Sequence, residues 1–356
     1  MVSPYDWGKD NAREYEEIRR EGAFVRLRPR EVWASNLVLR QVQKMRTKCE
    51  DPRKRFKFVE GFRPDVVLLC DPGTYYMLSR PGVREYFLES EFPFITISQY
   101  NTENEPISPL LFDGARAFFQ KAQSCVFVSN RNLEVARRQL CLPLENAVVL
   151  DNPPDLELWD CLPWPESPTP TFAMVARLDS AIKGQPIILD LLSKPPWTDR
   201  SWRLSLCGEG QDERYLRELV LFLRLENRVE FRGHVQGIQN VWRENMLLLM
   251  ASSGEGKPLA LTEAMLCGRP AVVTDVGGNI ELIEEGLTGF VAEGPTTKGL
   301  RGAMERAWSA REKWAKMGQR AHRVVKERLT SRPEERLLSI IETVAQKAGA
   351  GTSAMR

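Results

Sequence analysis

Short apolar runs alternate along this chain with longer stretches in which apolar positions recur every three or four residues. In the first part, AFVRL, DVVLLC, FITIS, CVFVS and AVVLD read as strands. The segments between them carry helical spacing. In VWASNLVLRQVQKM, for example, Trp33, Leu37, Val38, Val42 and Met45 fall on one broad face. Runs that are apolar throughout, bounded by turns and separated by helices, predict a parallel sheet covered on both faces.

The texture changes at PPDLELWDCLPWPESPTP, residues 153–170, which holds six prolines in eighteen residues. Such a stretch continues neither a helix nor a central strand, and it predicts a linker. Beyond it the alternation restarts with TFAMVA, RLSLC, VEF, LLLMA, PAVVTD and GFVA, and charged helices follow from about Gly299. The expected organisation is therefore α/β: a Rossmann-like domain over 1–152, a linker over 153–170, a second Rossmann-like domain over 171–330, and a helix with a tail over 331–356. Two doubly wound sheets of this kind enclose a cleft between their strand C-termini, where such sheets bind ligands.

Composition narrows the function classes. With 356 residues, 42% of them hydrophobic, the chain can bury two full cores. A net charge of +2 gives no global field for nucleic acid, so no nucleic-acid partner is expected. Locally, residues 26–57 carry eleven Lys/Arg against Glu31, Glu50 and Asp51. That stretch is either a solvated helix face or a contact for an anionic membrane surface. Seven scattered cysteines without a CxxC pair predict a reducing compartment and no structural zinc. Those in VVLLC and LSLC are expected to behave as small buried hydrophobes. No apolar run approaches the ~18 residues of a membrane span, and no signal peptide is legible. A cytoplasmic protein, soluble or peripheral to a membrane, is expected.

Candidate chemistry concentrates in EGKPLALTE, Glu255 to Glu263. Pro258 is predicted as the first residue of a helix that ends near Cys267, with Gly268 as a left-handed cap and Pro270 blocking continuation. The free amides of Leu259 and Ala260 then point out of the helix start, where a phosphate belongs. Two carboxylates beside a phosphate would repel it, so they are assigned to hydroxyls, which a nucleotide-sugar offers on both sides of its diphosphate. Cations come from VARLDSAIKGQ, with Arg177 at a strand end and Lys183 entering a helix. A guanidinium and an ammonium together can neutralise a leaving nucleoside diphosphate. No metal is expected, since the chain has no DxD pair at a strand end and no His/Cys cluster. LCGEGQ reads as a structural turn, Val276-Gly277-Gly278 as a tight turn, and His234 as a loop-positioning residue. The tryptophans of WDCLPW are expected to pack the linker against a domain.

Taken alone, two glutamates with seven residues between them mean little. Together, however, MVARLDSAIKG, LCGEG, VEFRGHV and ASSGEGKPLALTEAMLCGRPAVVTDVGGNIELIEEGLTGFVAEG resemble the C-terminal half of the family 4 retaining glycosyltransferases of the GT-B fold, whose signature is that glutamate spacing. The resemblance covers about 125–330 and is most specific over 251–292. It implies that Arg177 and Lys183 hold the donor diphosphate and that Glu255 contacts the transferred sugar. Gly256, Lys257, Pro258 and Leu259 would offer their backbone to sugar and phosphate, Glu263 would hold the ribose, and Val235 would offer its backbone to the base. It also implies front-face attack with retention, the departing phosphate taking the acceptor's proton. The acceptor, whether glycan, lipid or small molecule, is not specified.

Departures from the family pattern fall mainly in the first domain. The chain opens MVSPYDWGKDNAREYEEI in place of a strand and Gly-rich loop, so a shortened N-terminal domain is expected. The only histidines, His234 and His322, lie in the second half, and Lys257-Pro258 stands where the family more often has Phe-Gly. These departures motivate one alternative, a non-catalytic nucleotide-sugar-binding or scaffold protein. A third reading, a GT-B epimerase or phosphorylase, is disfavoured because a phosphorylase usually carries a pyridoxal-phosphate lysine within a longer chain and an epimerase lacks this glutamate spacing. A glycosidase is disfavoured because its two carboxylates must flank the scissile bond.

Overall fold

The computed structural model describes Phe56 and residues 59–71, 73–80, 82–103, 106–154, 161–329 and 332–353. The expected strand AFVRL, the helix over 32–45 and nearly all of the basic stretch 26–57 lie outside the described residues. The ten apolar runs that fall within them each form a strand.

The first sheet contains β1 (Val67–Asp71), β2 (Phe94–Ser98), β3 (Ser124–Phe127) and β4 (Ala147–Val149), all parallel and in the order β1-β2-β3-β4. Helices α1 (Val83–Glu89), α2 (Phe112–Lys121) and α3 (Asn130–Leu140) connect successive strands. A strand order that advances in one direction, with right-handed crossovers, places all three helices on one face. That face is aromatic: Phe94 and Phe127 pack with Phe87, Phe118, Phe119, Ala136 and Leu140. Cys70, expected to be a buried hydrophobe, is instead exposed. It sits on β1, whose side chains alternate: Val67 and Leu69 pack against the aromatic core, whereas Leu68 and Cys70 fall on the other side and are exposed. Cys207 fits the expectation, and Cys125 is buried as well; burial pushes both thiols up to about 11.

The second sheet contains β5 (Thr171–Val175), β6 (Arg203–Cys207), β7 (Val229–Gly233), β8 (Leu247–Met250), β9 (Ala271–Thr274) and β10 (Gly289–Ala292). All neighbours are parallel and the order is β10-β9-β8-β5-β6-β7, so the winding reverses between β5 and β8. Its helices are α4 (Ser180–Lys183), α5 (Gln185–Leu192), α6 (Glu213–Phe222), α7 (Ile238–Glu244), α8 (Leu259–Leu266), α9 (Asn279–Leu282), α10 (Thr297–Ser309) and α11 (Trp314–Leu329). Every residue of β8 and β9 is buried, which is why LLLM and AVVT read as continuous rather than alternating apolar runs. One face packs Phe172 with Trp197, Trp202 and Trp314, and the other packs Trp242, Leu261, Met265 and Val325. Among the described residues no helix is long and apolar enough to cross a membrane.

The last helix, α12 (Pro333–Ser353), returns to the first sheet. Leu337, Ile340, Ile341 and Val344 face Ile95 and Val126 of the strands and Leu150 just beyond β4, on the face opposite α1–α3. Positions i, i+3, i+4 and i+7 make one helical stripe, so the sequence spacing carries this packing. A helix from the far end of the chain thus supplies the second cover that the one-directional winding of β1–β4 leaves open. Val344→Asp is expected to lower unfolding stability by about 2 kcal/mol or more, because the carboxylate enters an apolar contact without a partner. Leu110→Asp, at a residue 90% exposed, is expected to stay within about 0.5 kcal/mol of the parent. Urea titration of the two variants checks the contrast.

Candidate functional site

The reversal of strand order places the loops after β5 and β8 side by side, and backbone contacts stitch them together. The Ser253 amide donates to the Ile182 carbonyl at 2.9 Å and the Ser253 hydroxyl to the Ala181 carbonyl at 3.0 Å. Gly184 adopts φ +67°, and a Cβ there would run into the Ala251 carbonyl, so this turn requires glycine. The result brings two of the expected residues into contact. Lys183 Nζ donates to Glu255 Oε1 at 2.6 Å, with the carboxylate side chain only 6% exposed. A carboxylate this buried needs a partner, and Lys183 provides a charge-assisted one.

Arg177 is not brought into that pair. Its guanidinium is 72% exposed and bonds to Asp179 at 3.3 Å. Its carbonyl accepts from Gln185 Nε2 at 2.8 Å, and Gln185 is almost fully buried. Asp212 accepts from the Ser180 amide at 2.7 Å and so fixes the start of α4. Sequence reasoning passed over both Gln185 and Asp212. Each acts on backbone rather than on a ligand, and a lone Gln or Asp near a turn carries no spacing that reveals such a role.

One expectation about α8 needs correction. Pro258 is not the first helical residue but the residue before it, with φ −71° and ψ 124°, and the helix begins at Leu259. The ring fixes φ near the helical value, but ψ remains free and is extended here. The Pro258 carbonyl accepts the first intrahelical bond, from the Thr262 amide at 3.3 Å. The helix-start donors are therefore the amides of Leu259, Ala260 and Leu261, which have no acceptor within the helix. Pro258 has none to offer. The other end is as expected: Gly268 has φ +76°, its amide donates to the Met265 carbonyl at 2.9 Å, and the Arg269 amide donates to the Ala264 carbonyl at 2.8 Å. Glu263 is half-buried in the second turn of α8, whereas Glu255 lies four residues before the helix.

The neighbouring turns are structural. Gly208 and Gly210 of LCGEGQ press against the carbonyls of Ala176 and Leu178, and the Leu178 amide donates to the Glu209 carbonyl at 3.0 Å. The Glu209 carboxylate accepts from the His234 amide at 3.4 Å. Val235 is half-buried against the core formed by Trp242 and Leu261. Trp164 packs on the other core, its ring 5.2 Å from the Arg269 guanidinium carbon. Arg269 is fully buried and donates to the carbonyls of Pro163 at 2.6 Å and Trp242 at 2.8 Å, anchoring the proline-rich segment.

On the far side, the loop 254–257 meets the strand ends of the first sheet. A Cβ on Gly254 would run into the Tyr100 hydroxyl, and one on Gly256 into the Gln99 carbonyl. Glu281 accepts from the Arg131 amide at 3.0 Å and from Asn130 Nδ2 at 3.3 Å, at the start of α3. Lys257, nearly buried, pairs with Asp151 just beyond β4. At the end of β1, burial pushes the Asp71 carboxyl up to about 6, against the opposing pull of the Met77 and Gly73 amides that bind it. Asp71 has no sequence signal of its own.

Residues 165–324 match the family model described as glycosyl transferases group 1. N-acetyl-alpha-D-glucosaminyl L-malate synthase of Bacillus anthracis is 33% identical over 147 residues, 41% of this chain and 38% of that protein. The match thus spans well under half the length of that relative. Among solved structures, a glycosyltransferase from Rickettsia africae aligns over 96% of this chain and 89% of its own, with a TM-score of 0.68 and 16% identity. HepE of Anabaena, solved in complex with UDP, aligns over the same shares with a TM-score of 0.63 and 19% identity. Likeness over nearly the whole of both chains establishes the fold: two parallel-sheet α/β domains in the GT-B arrangement, the second containing most of the residues that match the family model.

Proposed function

We propose that this chain is a retaining glycosyltransferase that moves a sugar from a nucleoside-diphosphate sugar to an acceptor hydroxyl. The observation that carries the reading is the Lys183–Glu255 pair at the strand-order reversal, beside the unspent amides of α8. A cation and a helix start face one end of the loop, and a carboxylate suited to hydroxyls stands beside them. In this reading the diphosphate lies against Lys183 and the amides of Leu259 and Ala260. Glu255 meets the transferred sugar and Glu263 the ribose. Arg177, whose exposed guanidinium bonds to Asp179, swings onto the phosphate. Val235 offers its backbone to the base.

The chemistry follows from this placement. The acceptor oxygen forms a bond to the anomeric carbon on the face from which the diphosphate leaves, and the bond to the phosphate oxygen breaks. The departing oxygen keeps the electron pair and takes the acceptor's proton. Lys183, Arg177 and the α8 amides stabilise the charge that develops there, so neither a side-chain base nor a divalent metal is required. UDP-sugars are the first donors to test, since a structural relative was solved with UDP.

Arg177→Ala is expected to weaken UDP binding by about 1.5–3 kcal/mol, the range for a hydrogen bond to a charged group. Its folding should be unchanged, because the guanidinium is exposed. Lys183→Ala is expected to cost folding stability as well, about 3 kcal/mol, since it strands the buried Glu255. Lys183→Ala/Glu255→Gln should recover much of that stability but not UDP affinity. Unchanged calorimetric affinity in the Arg177 and double variants would remove the donor-site assignment.

Glu255→Gln frees Lys183 from its counterion, so bare UDP should bind at least as well as in the parent while sugar transfer falls. Glu263→Gln should weaken both UDP and UDP-sugar, since both contain the ribose. If the two substitutions act identically on UDP, the donor does not lie along α8 in this direction. Transfer should survive EDTA. Loss of turnover that magnesium or manganese restores would count against the metal-free mechanism.

A further inference from the structure

Lys257 stands inside the donor loop, yet its ammonium does not face the α8 amides. Its side chain is 8% exposed, and Nζ donates to Asp151 Oδ1, two residues beyond the end of β4 in the first sheet. Its stem is confined on the other side, where a Cβ on Gly278 would lie 3.3 Å from Lys257 Cγ. The residues around it close the same seam. Gly256 lies under the Gln99 carbonyl and Val128, Gly254 under Tyr100, and Gly278 beside Ser129. Every loop residue from 254 to 258 is buried. The only ion pair recorded across this seam, among the described residues, is Lys257–Asp151.

We propose that Lys257 and Asp151 form a tether that holds the donor loop in register with the first sheet. Lys257 is then a positioning residue for donor binding, not a ligand of the donor phosphate. The physical argument is steric and electrostatic together. Gly254 and Gly256 allow backbone to approach backbone, which fixes a distance but tolerates sliding. An ion pair whose ammonium is buried tolerates little sliding, because displacement strands the Lys257 charge away from water, while the half-buried Asp151 carboxylate keeps partial access to solvent. The pair adjoins Pro258, the residue from which α8 starts, so the direction of the α8 amides depends on where Asp151 sits. The two domains are thereby coupled through the residue next to the anion site, and the donor loop keeps its shape only while the first domain is docked.

The inference rests on the assignment of 254–258 as the donor loop, but its first test needs no nucleotide. Hydrogen exchange of the backbone over 254–262 is measured in the full chain and in Lys257→Met, Asp151→Asn, Lys257→Arg and the charge reversal Lys257→Asp/Asp151→Lys. Lys257→Met and Asp151→Asn should each speed exchange there about tenfold or more, whereas Lys257→Arg and the reversal should return it to within about threefold of the parent. Exchange unchanged in both single variants overturns the tether. Calorimetry with UDP then separates positioning from direct contact. A tether predicts weaker UDP binding in Asp151→Asn as well as in Lys257→Met. Weaker binding in Lys257→Met with equal or tighter binding in Asp151→Asn would make Lys257 a phosphate ligand and overturn the proposal. If the parent binds no nucleotide, the donor assignment fails and the exchange result alone decides the tether.

Discussion

A carboxylate removed from water must be met by a cation or be protonated, and the site depends on how Glu255 meets this constraint. Its partner, Lys183, comes from a different strand-loop unit, and the pair forms only because the sheet reverses its winding between β5 and β8. The glycine turn at 184 and the Ser253 contacts bring the two loops close enough for a 2.6 Å bond. Neither charge is free in the way a surface pair would be, where the net gain is small. A ligand that takes Lys183 must give Glu255 something in exchange, and sugar hydroxyls are suited to do so. Under the proposed function, the pair that ties the two loops together favours a ligand with phosphate at one end and hydroxyls beside it.

Much of this was legible in the sequence, for identifiable reasons. Strands buried on both faces need continuous apolar runs, so FITIS, LLLM and AVVT announced themselves. The end of α8 was equally plain, because Gly268 and Pro270 leave the backbone few options. Its start was off by one residue, since proline constrains φ but not ψ. Cys70 looked like a core residue because a local apolar run cannot say whether both faces of its strand are covered. The Lys183–Glu255 contact joins residues 72 positions apart. Charge and spacing suggested that both belong to one site, but not that they touch. Arg177 was placed beside Lys183 by its strand-end position and the family resemblance, and its guanidinium lies toward Asp179 and solvent, outside the Lys183–Glu255 pair.

Other features had no local signature at all. Gln185 and Arg269 bind carbonyls, and every residue has a carbonyl, so no pattern of residue types marks them. Lys257 was read through its backbone. The partner of its side chain lies 106 residues away, beyond the reach of any periodic argument. Such contacts follow from the docking of two sheets, and the sequence of either domain alone does not contain them.

The cover that α12 lays over the first sheet also bears on synthesis. During translation β1–β4 emerge early, with α1–α3 ready to pack one face as soon as they form. Ile95, Val126 and Leu150 on the other face must wait for residues 337–344, which leave the ribosome after the entire second sheet. Until then the nascent first domain presents an apolar surface, while the second domain has its own two cores and can condense first. The face that α12 covers is therefore closed only after the second sheet has been synthesised, and a ribosome stalled before α12 would leave that apolar face of β1–β4 open to aggregation.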